Sequence, residues 1–385
     1  MRVFSAQRKR NRLLRFFHFK KNNFGKFDYV LIGAIFFLVL FGLIFLTSAS
    51  NIKGFREKND AYYFFRHQLT NGFIPGLALF YFFSRLDYRR LEKFSVSFFI
   101  LALILLSLVF IPNLSLSSGE TKSWIKVFNI SVQTSEIAKL LLILSLAGWL
   151  SYRGQERNSE FWNGLVPFAF ILGLISLPII LQPDIGTLVV VSVIALTIYF
   201  AAGGKISHIV GLGLAGLGIF AMLIIQAPYR AARLLTFLNP EIDPQGIGYH
   251  INQAFLAIGS GGWFGLGFGQ SRQKFVYLPE VIGDSIFAVI AEELGFIVCV
   301  ILISIFVFLA IRGFKLAFSL NDDYAKLVVA GIISWFIFQA FFNIGAMLGL
   351  LPLTGIPLPF ISYGGTALAT LLAATGILAN ISRKS

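Results

Sequence analysis

Cysteine is almost missing from this 385-residue chain. Cys299 is the only one, so neither an internal disulfide nor a cysteine-ligated metal cluster can form. Charge is scarce too. Asp, Glu, Lys and Arg together make up 13% of the residues, about half the share of an ordinary soluble domain. A soluble fold built from this composition would lack the polar side chains to cover its surface. Disordered, coiled-coil, collagen-like and secreted disulfide classes are excluded as well. What the chain has in excess is apolar: 57% of its residues are hydrophobic and 16% aromatic, with a mean hydropathy of +0.79. This is the composition of a polytopic membrane protein.

The apolar runs predict an all-α fold of ten transmembrane helices. They lie at about 29–49, 67–83, 94–111, 137–150 (extended backward through 133), 161–181, 185–202, 206–225, 285–311, 325–350 and 362–381. An even number puts both termini on one side. The net charge of +14 would suggest nucleic acid, but no folded basic domain carries it. It is concentrated in an arm, residues 1–27, where Arg2, Arg8, Lys9, Arg10, Arg12, Arg15, Lys20, Lys21 and Lys26 all precede Asp28. Such an arm orients a membrane protein and contacts anionic membrane lipids. It is too long for a signal-peptide n-region, and no convincing cleavage site follows the first apolar run. With both termini cytoplasmic, the short loops between spans collect most of the remaining Lys and Arg. The domain reading is therefore a basic arm (1–27) and a ten-helix membrane domain (28–382). The latter has one long outer loop, about 226–283, between helices 7 and 8, and loops of that length are usually functional.

Charges near the outer helix ends need an explanation, because a charge in hydrocarbon costs several kcal/mol. Glu136 and Lys139 sit at i, i+3 on one helix face and can pair, either as a structural ion pair or to present the lysine to an anion. Asp184 follows Pro183 at a helix start, where it serves as a cap or as part of a polar site. Asp284 follows Gly283 at the end of the long loop, after Arg272, Lys274 and Glu280. It reads as a cap, or as a base or divalent-metal ligand at the membrane surface. Glu292 and Glu293 lie too far along the same helix to pair with it and are expected to hydrogen-bond between helices. The long loop also holds Arg230, Arg233, an amphipathic stretch at 251–258 expected to lie on the membrane as a short helix, and a glycine run from Gly259 to Gly269. Near the C-terminus, Asn343, Gly349, Pro352, Gly355, Pro357 and Pro359 lead into Phe360-Ile361-Ser362-Tyr363-Gly364-Gly365-Thr366-Ala367, a rigid re-entrant loop and a small-residue helix start.

Together these residues resemble the SEDS family, the FtsW/RodA/SpoVE proteins. The C-terminal signature fits at each fixed position. So do Gln182-Pro183-Asp184-Ile185-Gly186-Thr187, Phe237-Leu238-Asn239-Pro240, Asp243-Pro244-Gln245-Gly246, Ala257-Ile258-Gly259-Ser260-Gly261-Gly262, Gly269-Gln270-Ser271, and Leu278-Pro279-Glu280 through Asp284 to Glu292-Glu293-Leu294-Gly295. Gln273-Lys274 ahead of Tyr277-Leu278-Pro279-Glu280 is more similar to the FtsW branch than to the RodA branch. There are departures. Gly283-Asp284-Ser285 stands where the family usually has Thr-Asp-Phe, Thr134 replaces a proline, and Ser123, next to Lys122, stands where a basic residue often precedes the tryptophan.

The resemblance implies a peptidoglycan glycosyltransferase in the bacterial cell membrane, with its active site on the extracytoplasmic side. It would polymerise lipid II, an undecaprenyl-pyrophosphate disaccharide-pentapeptide, during division or wall growth. Asp284 matches the residue taken as catalytic. Lys139, Arg230, Arg233, Arg272 and Lys274, or a divalent cation such as Mg or Mn, would offset the charge of the leaving pyrophosphate. Glu136, Asp184 and Lys122 would complete the substrate site. A class B penicillin-binding transpeptidase and other division proteins are the implied partners. A lipid II flippase and a non-catalytic division scaffold fit the same polar groove and stay open at this point.

Overall fold

The computed structural model describes residues 27–112, 114–118, 121–127, 130–225, 235–237, 239, 246–275 and 277–383. Nearly all of the basic arm, and Arg230 and Arg233, lie outside the described residues. Helix α1 (Tyr29–Lys58) begins where Asp28 caps the Leu31 amide. One helical rod follows: α2 (Tyr63–Gln68), a π-turn (Leu69–Phe73) and α3 (Ile74–Arg85). Pro75, which has no amide hydrogen to give the helix, sits just beyond the wide turn. Next come α4 (Arg89–Glu92), α5 (Ser95–Leu108) and a small antiparallel sheet, β1 (Ser115–Ser118), β2 (Thr121–Val127) and β3 (Ile130–Gln133), in that spatial order. The all-α expectation missed this sheet, because its strands are only four to seven residues long and rich in serine. The remaining elements are α6 (Thr134–Asn158), a second π-turn (Phe161–Leu165), α7 (Val166–Leu181), α8 (Ile185–Ala201), α9 (Ile206–Ile225), α10 (Ile247–Ser260), α11 (Ile286–Ser319), α12 (Asp323–Met347) and α13 (Gly365–Ser382).

Six described helices are long and apolar enough to cross a membrane, with shorter apolar helices beside them, so the chain is a polytopic membrane protein. The spans are not equivalent. In the most apolar stretches of α6, α12 and α13, 83% of residues are buried, against 22% for the Phe161–Leu181 span and 28% for α11. The first three therefore form the centre of the bundle, and the others turn most of their surface to lipid. Glycine lets the central helices close up. A methyl group at Gly376 would lie 2.6 Å from the Phe80 carbonyl oxygen, so α3 and α13 touch backbone to backbone. Polar side chains on the central helices are thereby held in a dry, rigid setting.

Candidate active site

The turn leading into α11, Glu280–Ser285, carries Asp284 and is held by three other parts of the chain. From α12, Asn343 Nδ2 donates to the Asp284 carbonyl and to the Ile356 carbonyl, both at 2.8 Å. From the loop before α13, Ser362 Oγ donates to the Gly283 carbonyl at 2.6 Å, and the Tyr363 amide donates to the Ile282 carbonyl at 2.8 Å. From α10, His250 Nε2 lies 2.6 Å from Ser285 Oγ, which itself lies 2.7 Å from the Pro279 carbonyl. The C-terminal signature thus works as a clamp on this turn. Glu280 is bent into the left-handed region at φ 47°, a strained conformation of the kind that collects at functional sites.

The Asp284 carboxylate is not satisfied in the way its backbone is. Its Oδ1 is buried without a hydrogen-bond partner. Burial, helped by the like charge of Glu280, pushes its pKa up to about 7. A carboxylate with that value exchanges a proton near neutral pH.

A cavity of about 360 Å³ opens beside the turn, between the C-terminal end of α1, Lys274 and Leu278–Val281. Lys53, Arg56, Glu57, Lys274 and Glu280 are among the residues that line it. Lys53 Nζ makes a loose, partly exposed pair with Glu280 Oε2 at 3.9 Å. Lys53 and Arg56 were not singled out in the sequence, where they read as ordinary helix-end cations. Their i, i+3 spacing on one face of α1 was the available signal.

Glu292 and Glu293 organise the glycine run. Glu293 accepts from Ser48 Oγ (2.7 and 2.8 Å), the Gly269 amide (2.9 Å), the Ser271 amide (3.3 Å) and Lys274 Nζ (2.8 Å). Glu292 accepts from Ser271 Oγ and from the Arg272 and Gln273 amides. The run is not a flexible turn. Leu266 and Gly267 amides donate to the Glu292 and Glu293 carbonyls where Gly295 breaks α11, and a Cβ on Gly265 (φ 80°) would collide with the Glu293 carbonyl. Lys274 is enclosed in this cluster, while Arg272 is exposed. The amphipathic stretch at 251–258 is helical, within α10.

Glu136 and Lys139 pair at 2.7 Å, each 2% exposed. Lys139 Nζ also donates to Gln339 Oε1 at 2.8 Å and lies 5.0 Å from the Trp335 ring. Gln339 Nε2 donates to the Pro357 carbonyl, one residue from the carbonyl that Asn343 holds. The pair is thus linked through α12 to the loop that grips Asp284. Asp184 caps α8, accepting from the Thr187 amide (3.0 Å) and hydroxyl (2.8 Å), and Lys122 is placed on β2. Among the described residues, no three His, Cys, Asp or Glu side chains gather as a metal-binding group.

Comparisons with known proteins agree with this architecture. The FtsW/RodA/SpoVE family model, described as a cell cycle protein, matches residues 29–385. The chain is 41% identical to stage V sporulation protein E of Bacillus subtilis (strain 168), over 93% of this chain and 97% of that one. It is 34% identical to a probable peptidoglycan glycosyltransferase FtsW of Geobacter sp. (strain M18), over 93% and 97%. Among solved structures, a chain of a peptidoglycan synthase complex that coordinates polymerization and crosslinking superposes with a TM-score of 0.75 at 27% identity, covering 93% of this chain and 98% of that one. The rod shape determining protein RodA of Thermus thermophilus gives 0.68 at 26%, covering 93% and 97%. This chain belongs to the FtsW/RodA/SpoVE family.

Proposed function

We propose that Asp284 is the general base of this membrane peptidoglycan glycosyltransferase. The enzyme polymerises lipid II into glycan strands. In each cycle the sugar 4-hydroxyl of an acceptor attacks the anomeric carbon of the growing chain with inversion. The new C–O bond forms as the bond to the lipid pyrophosphate breaks, the pyrophosphate leaves with the electron pair, and the hydroxyl proton passes to Asp284. The observation that carries this reading is the unpartnered, buried carboxylate oxygen of Asp284 on a turn whose backbone is clamped from several sides. A base needs a pKa near the working pH and a free lone pair, and Asp284 has both.

The leaving pyrophosphate needs positive charge. Lys53 and Arg56 supply it from the adjoining cavity, with Lys274 in its wall; the exposed Arg272 is proposed for the same charge. Arg230 and Arg233, on the loop outside the described residues, are proposed for the same charge. Lys139 and Glu136 act through Gln339 on the loop at 356–357, Asp184 fixes the entry of α8, and Lys122, on β2, is proposed to complete the substrate site. The carboxylates of Asp284 and Glu280 share one turn, and one or two carboxylates completed by substrate phosphate suit a hydrated Mg or Mn ion. Such an ion would neutralise phosphate charge there. Ten spans with both termini in the cytoplasm place the turn on the extracytoplasmic side of the cell membrane, beside a class B penicillin-binding transpeptidase and other division proteins. Purified lipid II incubated with the purified full chain and with Asp284→Asn, with and without such a transpeptidase, tests the reading. Polymer from the wild type only is expected, and normal polymer from a well-folded Asp284→Asn would overturn it.

A further inference from the structure

Ser285, the residue after Asp284, ties the turn to another helix. Ser285 is buried, and a buried hydroxyl without partners destabilises a fold. Its hydroxyl meets the Pro279 carbonyl, 2.7 Å away, the Asp284 carboxylate, which it helps hold ionised, and His250. The carbonyl and the ionised carboxylate can only accept, so the single hydroxyl hydrogen goes to one of them. His250 Nε2, 2.6 Å from the same oxygen, must then be the donor, which fixes the ring with a proton on Nε2. Burial lowers the pKa of His250, opposed by the charge of Glu280. The neutral and the protonated ring both keep the Nε2 hydrogen.

The consequence is geometric. The hydrogen bond from Ser285 to Pro279 closes the turn across Asp284, and His250 holds that closing hydroxyl in place from α10. The other ties, from Asn343, Ser362 and Tyr363, grip backbone carbonyls from α12 and the loop before α13. Without the histidine the turn keeps its outer grip and loses its inner latch. Building on the reading of Asp284 as the base, we propose that His250 is a positioning residue for Asp284, acting through the Ser285 hydroxyl. A displacement of about 1 Å at a reacting group costs about 10²-fold in rate.

The test compares steady-state polymerisation of lipid II by the full-length His250→Phe, His250→Gln, Ser285→Ala and His250→Phe/Ser285→Ala enzymes, alongside Asp284→Asn. Phenylalanine keeps a ring and removes the donor, whereas glutamine restores an N–H of similar reach. His250→Phe and Ser285→Ala are expected to lower kcat by about 10- to 100-fold with KM for lipid II unchanged. His250→Gln should recover most of the rate, and the double variant should be no slower than the slower single one. If His250→Phe fails to fold, Ser285→Ala and His250→Gln carry the test. Wild-type kcat in Ser285→Ala or His250→Phe, with Asp284→Asn inactive, would overturn the latch and leave the base intact. A raised KM at normal kcat would also overturn it, since His250 would then be a binding group. An active Asp284→Asn would instead bring down the reading of Asp284 itself.

Discussion

Two carboxylates at opposite ends of the same structural segment are treated in opposite ways. Glu293 accepts hydrogen bonds from Ser48, the Gly269 and Ser271 amides and Lys274. All of its acceptor capacity is used to fasten the glycine run onto the break in α11. Asp284 lies about two and a half turns earlier, has its backbone held from several directions, and leaves one carboxylate oxygen without a partner. A fully bonded carboxylate fixes its neighbours in place. A buried one with an unpartnered oxygen, like Asp284, has its affinity raised by burial and a lone pair to offer. Glu136 Oε2 is also buried without a partner, but its carboxylate is paired with Lys139; among the described residues no ion pair accompanies the orphaned oxygen of Asp284.

The comparison is broken most severely at Asp284 itself. Asp284→Asn keeps volume and removes the base, so polymerisation of lipid II should fall by about 10²- to 10⁴-fold. Because the folded pKa is raised, ionising this group opposes folding. That contribution to stability is present below the ordinary carboxylate range and lost as the pH climbs through about 7. Thermal unfolding at pH 8 should therefore show the variant as stable as the wild type or more so. Glu293→Ala should do the reverse. It strands Lys274 and two amides in a dry site, which costs about 3–5 kcal/mol, read as a large fall in melting temperature with loss of the glycine-run fold. A smaller effect is expected in the cavity. Replacing Lys53 or Arg56 by Gln removes a charge-assisted contact to pyrophosphate, and KM for lipid II should rise about tenfold, with the melting temperature unmoved. Lys205→Gln, in a loop away from the cavity, serves as the control.

Much of this was legible in the sequence, for physical reasons. Helices such as Phe161–Leu181 and Ile206–Ile225 stand where their apolar runs placed them, since twenty apolar residues in a row have few other fates. Asp284 stood out because an acid at an apolar helix start needs a reason. Glu292 and Glu293 were expected to bond between elements, and they do. Long-range partnership was not legible. Nothing local announces that Asn343 grips the Asp284 carbonyl, or that His250 reaches Ser285 across 35 positions. The rigidity of the glycine run was not legible, because it comes from α11 and not from the run itself. Lys139 read as a candidate anion ligand, and its sequence could not show Gln339 and Trp335 closing around it from α12. The sheet at 115–133 was hidden by strands too short to establish a period.

The smallest of the expected effects sharpens the same contrast. Glu280→Gln removes the like charge beside Asp284, so the pKa of Asp284 should move down, with burial still holding it above the ordinary range. The acid limb of the activity profile should follow it to lower pH.

That limb is also where the central claim is most exposed. The decisive measurement is the pH dependence of kcat/KM for lipid II polymerisation by the wild-type enzyme and by Asp284→Asn, each checked for folding at every pH. If Asp284 is the base, the ionised form is the active one. Wild-type activity then rises with pH through a single ionisation near 7, and the residual activity of Asp284→Asn shows no such rise. A wild-type profile that is flat from pH 5 to 8, or an Asp284→Asn profile that keeps the same limb, would contradict the account.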